Sequence, residues 1–298
     1  MKRPTLFISM AIVCSLLAVA AAFISASNQT LDVTKIENVG YVDGSKNYFQ
    51  SLDLYLPKTD KKSPLVIWIH GGAWRYGDKN EGPGPAFAQH GLAVASLNYR
   101  LTDKEKFPAQ IQDCKAAVRW LRAHADEYNL DPNKFGVFGM SAGGHLVALL
   151  GVTGDDREYD NLGGNRNVSS KVQAVCDWCG PTDLLTIVDQ NEKIHGKLKL
   201  NGPDGVLTQF LGAAPDKVAD LARKASPITF VKSGEPPFLI LHGDSDDVVP
   251  FAQSQELYEA LKKTNNDVQL VSVKNGGHSF GSTDTFIQTY QFFKDKLK

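Results

Sequence analysis

With 298 residues, 42% of them hydrophobic and 22% charged, the chain is long and apolar enough to bury a substantial core, which excludes a disordered polymer. A formal net charge of −1 and no clustered Lys/Arg stripe exclude nucleic acid as a partner. In chain order, the first predicted element is an export signal over residues 1–26. Lys2 and Arg3 precede an apolar run from Leu6 to Ile24, and small residues suited to signal peptidase follow. An uncleaved membrane anchor is the alternative, because the run is long for a signal core. Cleavage removes Lys2 and Arg3 and no acid, taking the formal charge from −1 to −3.

The remainder, 27–298, reads as one catalytic-size domain. "IENVGYV" and "QSLDLYL" alternate apolar and polar residues and predict an antiparallel entry hairpin. Continuous apolar runs then appear at 64–70, 92–98, 134–140, 171–178, 237–243 and 268–273, the pattern of strands buried on both faces of a parallel sheet. Helical patterns lie between them at 109–128, 141–152, 251–263 and 284–297. Strand alternating with helix predicts an α/β fold, a three-layer sandwich around a mostly parallel sheet of about eight strands. The interval 184–226 has no strand-like run and is polar and turn-rich, so it reads as a small insertion over one end of the sheet.

Three cysteines remain after the signal, Cys114, Cys176 and Cys179, an odd number that argues against a disulfide framework. Cys176 and Cys179 stand at i and i+3, too far apart to bridge along a straight strand, so only a bend before Gly180-Pro181 would join them. Otherwise they are two buried small residues. A metal is not implied, because no second ligand pair exists.

In "FGVFGMSAGGH" a buried strand ends at Gly139 and a helix begins within two residues, which forces a sharp turn at Ser141. Glycines two before and two after leave room for it and push the hydroxyl out at the carboxyl end of the sheet, the arrangement of a G-x-S-x-G nucleophile elbow. The competing reading is a helix N-cap serine. A serine nucleophile needs a base oriented by an acid, in the chain order Ser, acid, His. His145 lies inside the helix after the elbow, His195 in the insertion, and His242 at a strand end beside an acidic loop. His278, in the glycine-flanked "NGGHSF", is left as the base. Asp244, Asp246 and Asp247 all qualify as the acid, and spacing does not choose among them.

Taken in order, "HGGAW", "NYRL", "GMSAGGH", "GPTDL", "HGDSDDVVP" and "GGHSF" resemble the α/β-hydrolase esterases and lipases related to hormone-sensitive lipase, nearest the bacterial carbohydrate esterases that include acetylxylan and feruloyl esterases. The likeness spans residues 35–295. It implies Asp246 as the acid, and an oxyanion hole from the backbone amides of Gly72 and Ala73 with that of Ala142. Where the lipase-like pattern has a third glycine, this chain has Ala73, which moves the likeness toward H-G-G-x-W enzymes, arylformamidases among them. Trp74 is placed along the acyl or alcohol pocket, with plain aromatic packing as the alternative. Asp183 is expected to hold a loop near the site. No cofactor or metal is implied.

The expectation is an exported serine carboxylesterase, secreted or periplasmic, with no stable membrane association after signal cleavage. Its substrate is a small-molecule or polysaccharide ester. Short acyl groups are expected, acetyl first and feruloyl second, since the polar insertion offers no extended apolar wall. A general lipolytic esterase, an amidase and a catalytically silent binding module on the same fold are the alternatives.

Overall fold

The computed structural model describes residues 30–154 and 156–298; the expected signal segment lies outside them. Eight strands form one sheet: β1 (Val33–Gly40), β2 (Ser51–Pro57), β3 (Ser63–Ile69), β4 (Ala93–Leu97), β5 (Leu130–Met140), β6 (Ala174–Trp178), β7 (Phe238–Gly243) and β8 (Val268–Val273). Their order is β1-β2-β4-β3-β5-β6-β7-β8. β1 pairs antiparallel with β2, and β2 antiparallel with β4, while every neighbour from β4 to β8 is parallel. The entry hairpin and the six crossover strands are those that the apolar patterns predict.

Alternation along the central strands divides the core into two layers. Leu65, Ile67 and Ile69 of β3 point to one side, and Val66 and Trp68 to the other. The first side is covered by α2 (Ala109–Ala123), α3 (Ala142–Val152) and α7 (Phe251–Lys263), the second by α1 (Gly84–Ala88) and α8 (Thr283–Lys296). Burial on both sides explains why β3 to β7 read as unbroken apolar runs. Between β6 and β7 the chain makes only short helices, α4 (Ile187–Lys193), α5 (Val206–Leu211) and α6 (Ala219–Lys224), besides single 3-10 turns.

Two boundaries differ from the sequence pattern. α2 stops at Ala123 rather than near 128, and β5 starts at Leu130, four residues early. The cause is a turn in which Leu130 N donates to Ala125 O while Asn129, at φ 53°, sends its side-chain amide to Thr59 O and Lys61 O. These contacts to a distant loop leave no local periodicity. The parallel order places the ends of β3, β4, β5, β6, β7 and β8 along one carboxyl edge, where the loops after them meet.

Candidate functional site

Ser141 sits between β5 and α3 with φ 58° and ψ −121°, a conformation that L residues avoid and that persists only where the surroundings enforce it. Enforcement comes from close packing. A Cβ on Gly139 would lie 2.4 Å from Gly143 O, and one on Gly143 only 2.0 Å from Ile69 O. The strand therefore turns directly against β3 and into the helix. Ser141 N donates to Trp178 O (2.8 Å) and Ser141 O accepts from His145 N (2.9 Å), so neighbouring β6 and the first turn of α3 hold the elbow from both sides.

The loop after β3 takes an unusual course, with Gly72 at φ 100°, Ala73 at 53° and Trp74 at 57°. Gly72 O accepts from Arg75 N and Tyr76 N, both at 3.0 Å. This consumes the carbonyl and leaves the amides of Gly72, Ala73 and Ala142 without an acceptor among the described residues. Two side chains fix the loop. Tyr99 OH donates to His70 O (3.1 Å), and its ring stacks on His70 at 4.3 Å between centroids. In the sequence Tyr99 stands only within "NYRL", directly after the apolar run 92–98. Only its proximity to "HGG" across parallel strands β3 and β4 gives Tyr99 a part in the site. Burial holds His70 neutral, with its pKa lowered to about 4.

His145 is a second tie. It is buried; Trp74 Nε1 donates to its Nδ1 (3.2 Å), so Nε2 carries the proton that meets Ala225 O (2.7 Å). One imidazole thus links the loop after β3, the elbow helix and the end of the insertion. Burial lowers its pKa to about 4, against the opposing pull of the Ala225 carbonyl, which keeps this tautomer in place. Trp74 itself is 2% exposed and stacks on Phe210 of α5 at 4.2 Å.

Among the three aspartates of the β7–α7 loop, Asp246 is the one that meets His278. Its Oδ2 accepts from His278 Nδ1 at 2.7 Å and from His242 Nε2 at 3.1 Å, and its Oδ1 accepts from the amides of Val248 (2.8 Å) and Val249 (2.9 Å). Burial would raise this carboxyl's pKa, but the hydrogen bonds and charges of His242 and His278 outweigh it and hold the group well below the usual carboxylate range. His242 is oriented in turn by Ser254 Oγ (2.7 Å). Asp244 instead receives Asn275 N (2.7 Å) and so steadies the loop carrying His278, while Asp247 pairs with Lys197 of the insertion. Asp183 turns back on its own loop, accepting from Leu185 N (2.9 Å). His195 is exposed.

Ser141 and His278 share no hydrogen bond; they meet at Cys179, whose thiol lies against the Ser141 amide and donates to His278 O (3.8 Å). In ligand-free hydrolases the contact between nucleophile and base is often open and tightens with substrate. Cys179, at φ 46°, is the bend expected after β6, yet it forms no bridge. Cys176 Sγ turns instead to Thr289 Oγ1 (3.7 Å) on α8, and all three of Cys114, Cys176 and Cys179 are free and buried. No signal in the sequence pointed to Cys179 as a neighbour of His278.

Beside Ser141 is a small apolar recess of about 20 Å³, bordered by Ala73, Trp74 and Ala142 and closed by Pro181, Val248 and Val249 with Ile187, Leu198, Leu200, Val206 and Leu207. Gly72 stands one residue behind it. The last five residues belong to the insertion, so the expectation that this segment offers no apolar wall is corrected: it is polar outside and apolar where it meets the serine. Ile187, Val206 and Leu207 come from short helices and Leu198 and Leu200 from the loop between them, too few per element to produce a visible period.

A family model described as BD-FAE matches residues 52–261. The chain belongs to that family, whose setting is that of the α/β-hydrolase esterases. Esterase LipC of Mycobacterium tuberculosis is 31% identical over 248 residues, 79% of this chain and 58% of LipC. The chain spans about half the length of such relatives. Among solved structures, a truncated carbohydrate esterase from gut microbiota is 32% identical with a TM-score of 0.81, over 91% of this chain and 98% of that one. An acetyl ester-xyloside bifunctional hydrolase from Caldicellulosiruptor lactoaceticus is 26% identical with a TM-score of 0.67, over 91% and 95%.

Proposed function

We propose that the chain is an exported serine carboxylesterase that removes short acyl groups, acetyl first, from polysaccharide or small-molecule esters. The observation that carries this reading is Ser141, held at φ 58° on the rim of a recess of about 20 Å³. That volume is roughly the room one water occupies, and a methyl group is of similar size. Ser141 Oγ attacks the ester carbonyl and passes its proton to His278 Nε2. The Asp246 carboxylate holds Nδ1–H and stabilises the imidazolium. Backbone amides of Ala142, Ala73 and Gly72 receive the negative charge developing on the carbonyl oxygen. His278 returns the proton to the leaving alcohol, then activates the water that releases the acyl group.

A longer acyl chain meets the wall formed by Leu198, Leu200 and Val249 instead of gaining the roughly 0.8 kcal/mol expected for each methylene buried without strain. Specificity constants are expected to fall from acetate through butyrate to octanoate esters, with acetate released from acetylated xylan. A maximum at octanoate with no release from the polymer would replace this reading by a general lipolytic one; a maximum on feruloyl esters would place the aromatic acyl group at the site. No turnover of any activated ester would leave a silent binding module. Export is tested separately by N-terminal sequencing, expected to find a start between residues 21 and 30.

A further inference from the structure

Cys179 has no task in the acyl-transfer steps, yet its sulfur occupies a place with a chemical consequence. Cys179 Sγ, an Asp246 carboxylate oxygen and a His278 ring nitrogen lie within 4.8 Å of one another. A thiolate, a carboxylate and an imidazole are three donors that a thiophilic divalent cation takes together. We propose that Cys179, Asp246 and His278 form an inhibitory site for such a cation, zinc or cadmium, which captures His278 Nδ1 and switches the hydrolase off. The proposal rests on the reading of His278 as the general base.

The required movements are small. Zinc bonds of about 2.3 Å to sulfur and 2.0–2.2 Å to nitrogen and oxygen give tetrahedral edges of about 3.4–3.6 Å. The 2.7 Å contact between His278 Nδ1 and Asp246 Oδ2 therefore opens by less than about 1 Å, and the sulfur, within 4.8 Å of both, closes by at most about 1.4 Å. Asp246 keeps its orientation throughout, because Oδ1 remains held by the Val248 and Val249 amides, and His242 keeps Val249 O as an acceptor. Such outer contacts hold ligands in place around a metal. Thiolate and carboxylate together neutralise the divalent charge in a setting where Cys179 and Asp246 are buried and only His278 reaches solvent. Burial and the nearby Asp246 and Asp177 push the Cys179 thiol pKa upward, so the free protein holds it protonated.

The proton balance explains inhibition. The cation replaces the Cys179 S–H proton, which leaves to solvent, and replaces the proton on His278 Nδ1. The neutral imidazole then carries its proton on Nε2. In that tautomer Nε2 is a donor and cannot accept the Ser141 proton. Loss of activity follows without any change at Ser141.

The test is titration of the enzyme with cadmium chloride and with zinc chloride, following hydrolysis of an acetyl ester, each variant referred to its own uninhibited rate. Complete, chelator-reversible inhibition is expected. Its midpoint should weaken by at least about tenfold in Cys179→Ala and stay unchanged in Cys176→Ala. If Cys179→Ala fails to fold, Cys179→Ser supplies the same comparison at nearly the same volume. Binding is read independently of turnover in Ser141→Ala, where one equivalent of cadmium should raise an ultraviolet cadmium–thiolate band that Ser141→Ala/Cys179→Ala lacks. Equal inhibition with and without Cys179, or no thiolate band, overturns the proposal. Retained activity in Ser141→Ala overturns the serine mechanism instead, and the band still decides the metal site.

Discussion

The two halves of the site are built by different forces. On the β3–β5 side the elbow and the loop after β3 are shaped by hard contacts: Gly143 has no space for a methyl group against Ile69 O, and Gly72 at φ 100° has none against Tyr76 O. On the β7–β8 side Asp246 and His278 are placed by hydrogen bonds, four of them on one carboxylate. Sterics admit one geometry at any pH, whereas polar contacts depend on protonation. The first half is thus expected to fail abruptly under substitution, and the second gradually and with pH.

The largest expected effect spans both halves. Ser141→Ala, Asp246→Ala and His278→Ala should each lower kcat/KM on the order of 10⁴–10⁶-fold, and the double variants little further, because the three act as a unit. Asp244→Ala, which loses the contacts to Asn275 N and Ser245 Oγ and none to His278, should keep most activity; a dead Asp244→Ala beside an active Asp246→Ala would reassign the acid.

Gly143→Ala comes next and probes the steric half alone. Its methyl group would lie 2.0 Å from Ile69 O and 2.6 Å from His70 O, so the backbone must move. Misplacement of the nucleophile by about 1 Å lowers the rate about 10²-fold. Kinetics and thermal unfolding of the variant check this, and an unperturbed rate would show the elbow to be softer than its contacts.

His242→Ala sharpens the polar half. It deprives Asp246 Oδ2 of one of two imidazole donors and is expected to destabilise the protein by about 1.5–3 kcal/mol. Asp246 is depressed in the folded state, so its contribution is present above the unfolded carboxylate value of about 3.9 and is lost as pH falls through the folded one. Losing a donor raises the folded value, and acid unfolding of His242→Ala should begin at a higher pH than in the parent.

Asp177 lies between the halves and should show the smallest effect on activity. It is fully buried beside the elbow, Oδ1 accepting Gly180 N (2.8 Å) and Oδ2 having no partner among the described residues, and burial raises its pKa to about 7 against the pull of that amide. Here the sign is reversed: the unfolded chain ionises first, so stability is greatest below about pH 4 and declines as pH rises toward 7. Asp177→Asn should leave kcat near the parent value and gain stability over it between pH 4 and 7, by about 1–4 kcal/mol at the upper end. Urea titrations at pH 5 and pH 8 that gave the same difference would contradict the buried neutral carboxyl.

Legibility of the two halves followed the same division. Ser141 was readable because its requirement is local: five residues, two of them glycine, between an apolar run and a helical one. The acid was not, since Asp244, Asp246 and Asp247 have the same chemistry within four positions, and the choice depends on which carboxylate the loop after β8 reaches. The family resemblance implied Asp246, whose carboxylate is the one that His278 Nδ1 meets, at 2.7 Å. Trp74 stood between pocket wall and packed aromatic; it borders the recess beside Ser141 and stacks on Phe210.

By itself the sequence determined the layer order, the parallel sheet and the position of the elbow, because burial on both faces of a strand and the sterics of a tight turn are written in consecutive residues. Tertiary structure decided what depends on separate segments meeting. It turned the Cys176 thiol to Thr289 and set the Cys179 thiol against His278. It brought Tyr99 under the oxyanion loop, joined three elements through His145, and folded the apolar residues of a polar-looking insertion over the serine. None of these has a period or a motif, for each arises from contacts between residues tens to more than a hundred positions apart, whose energy exists only once the sheet has placed them together.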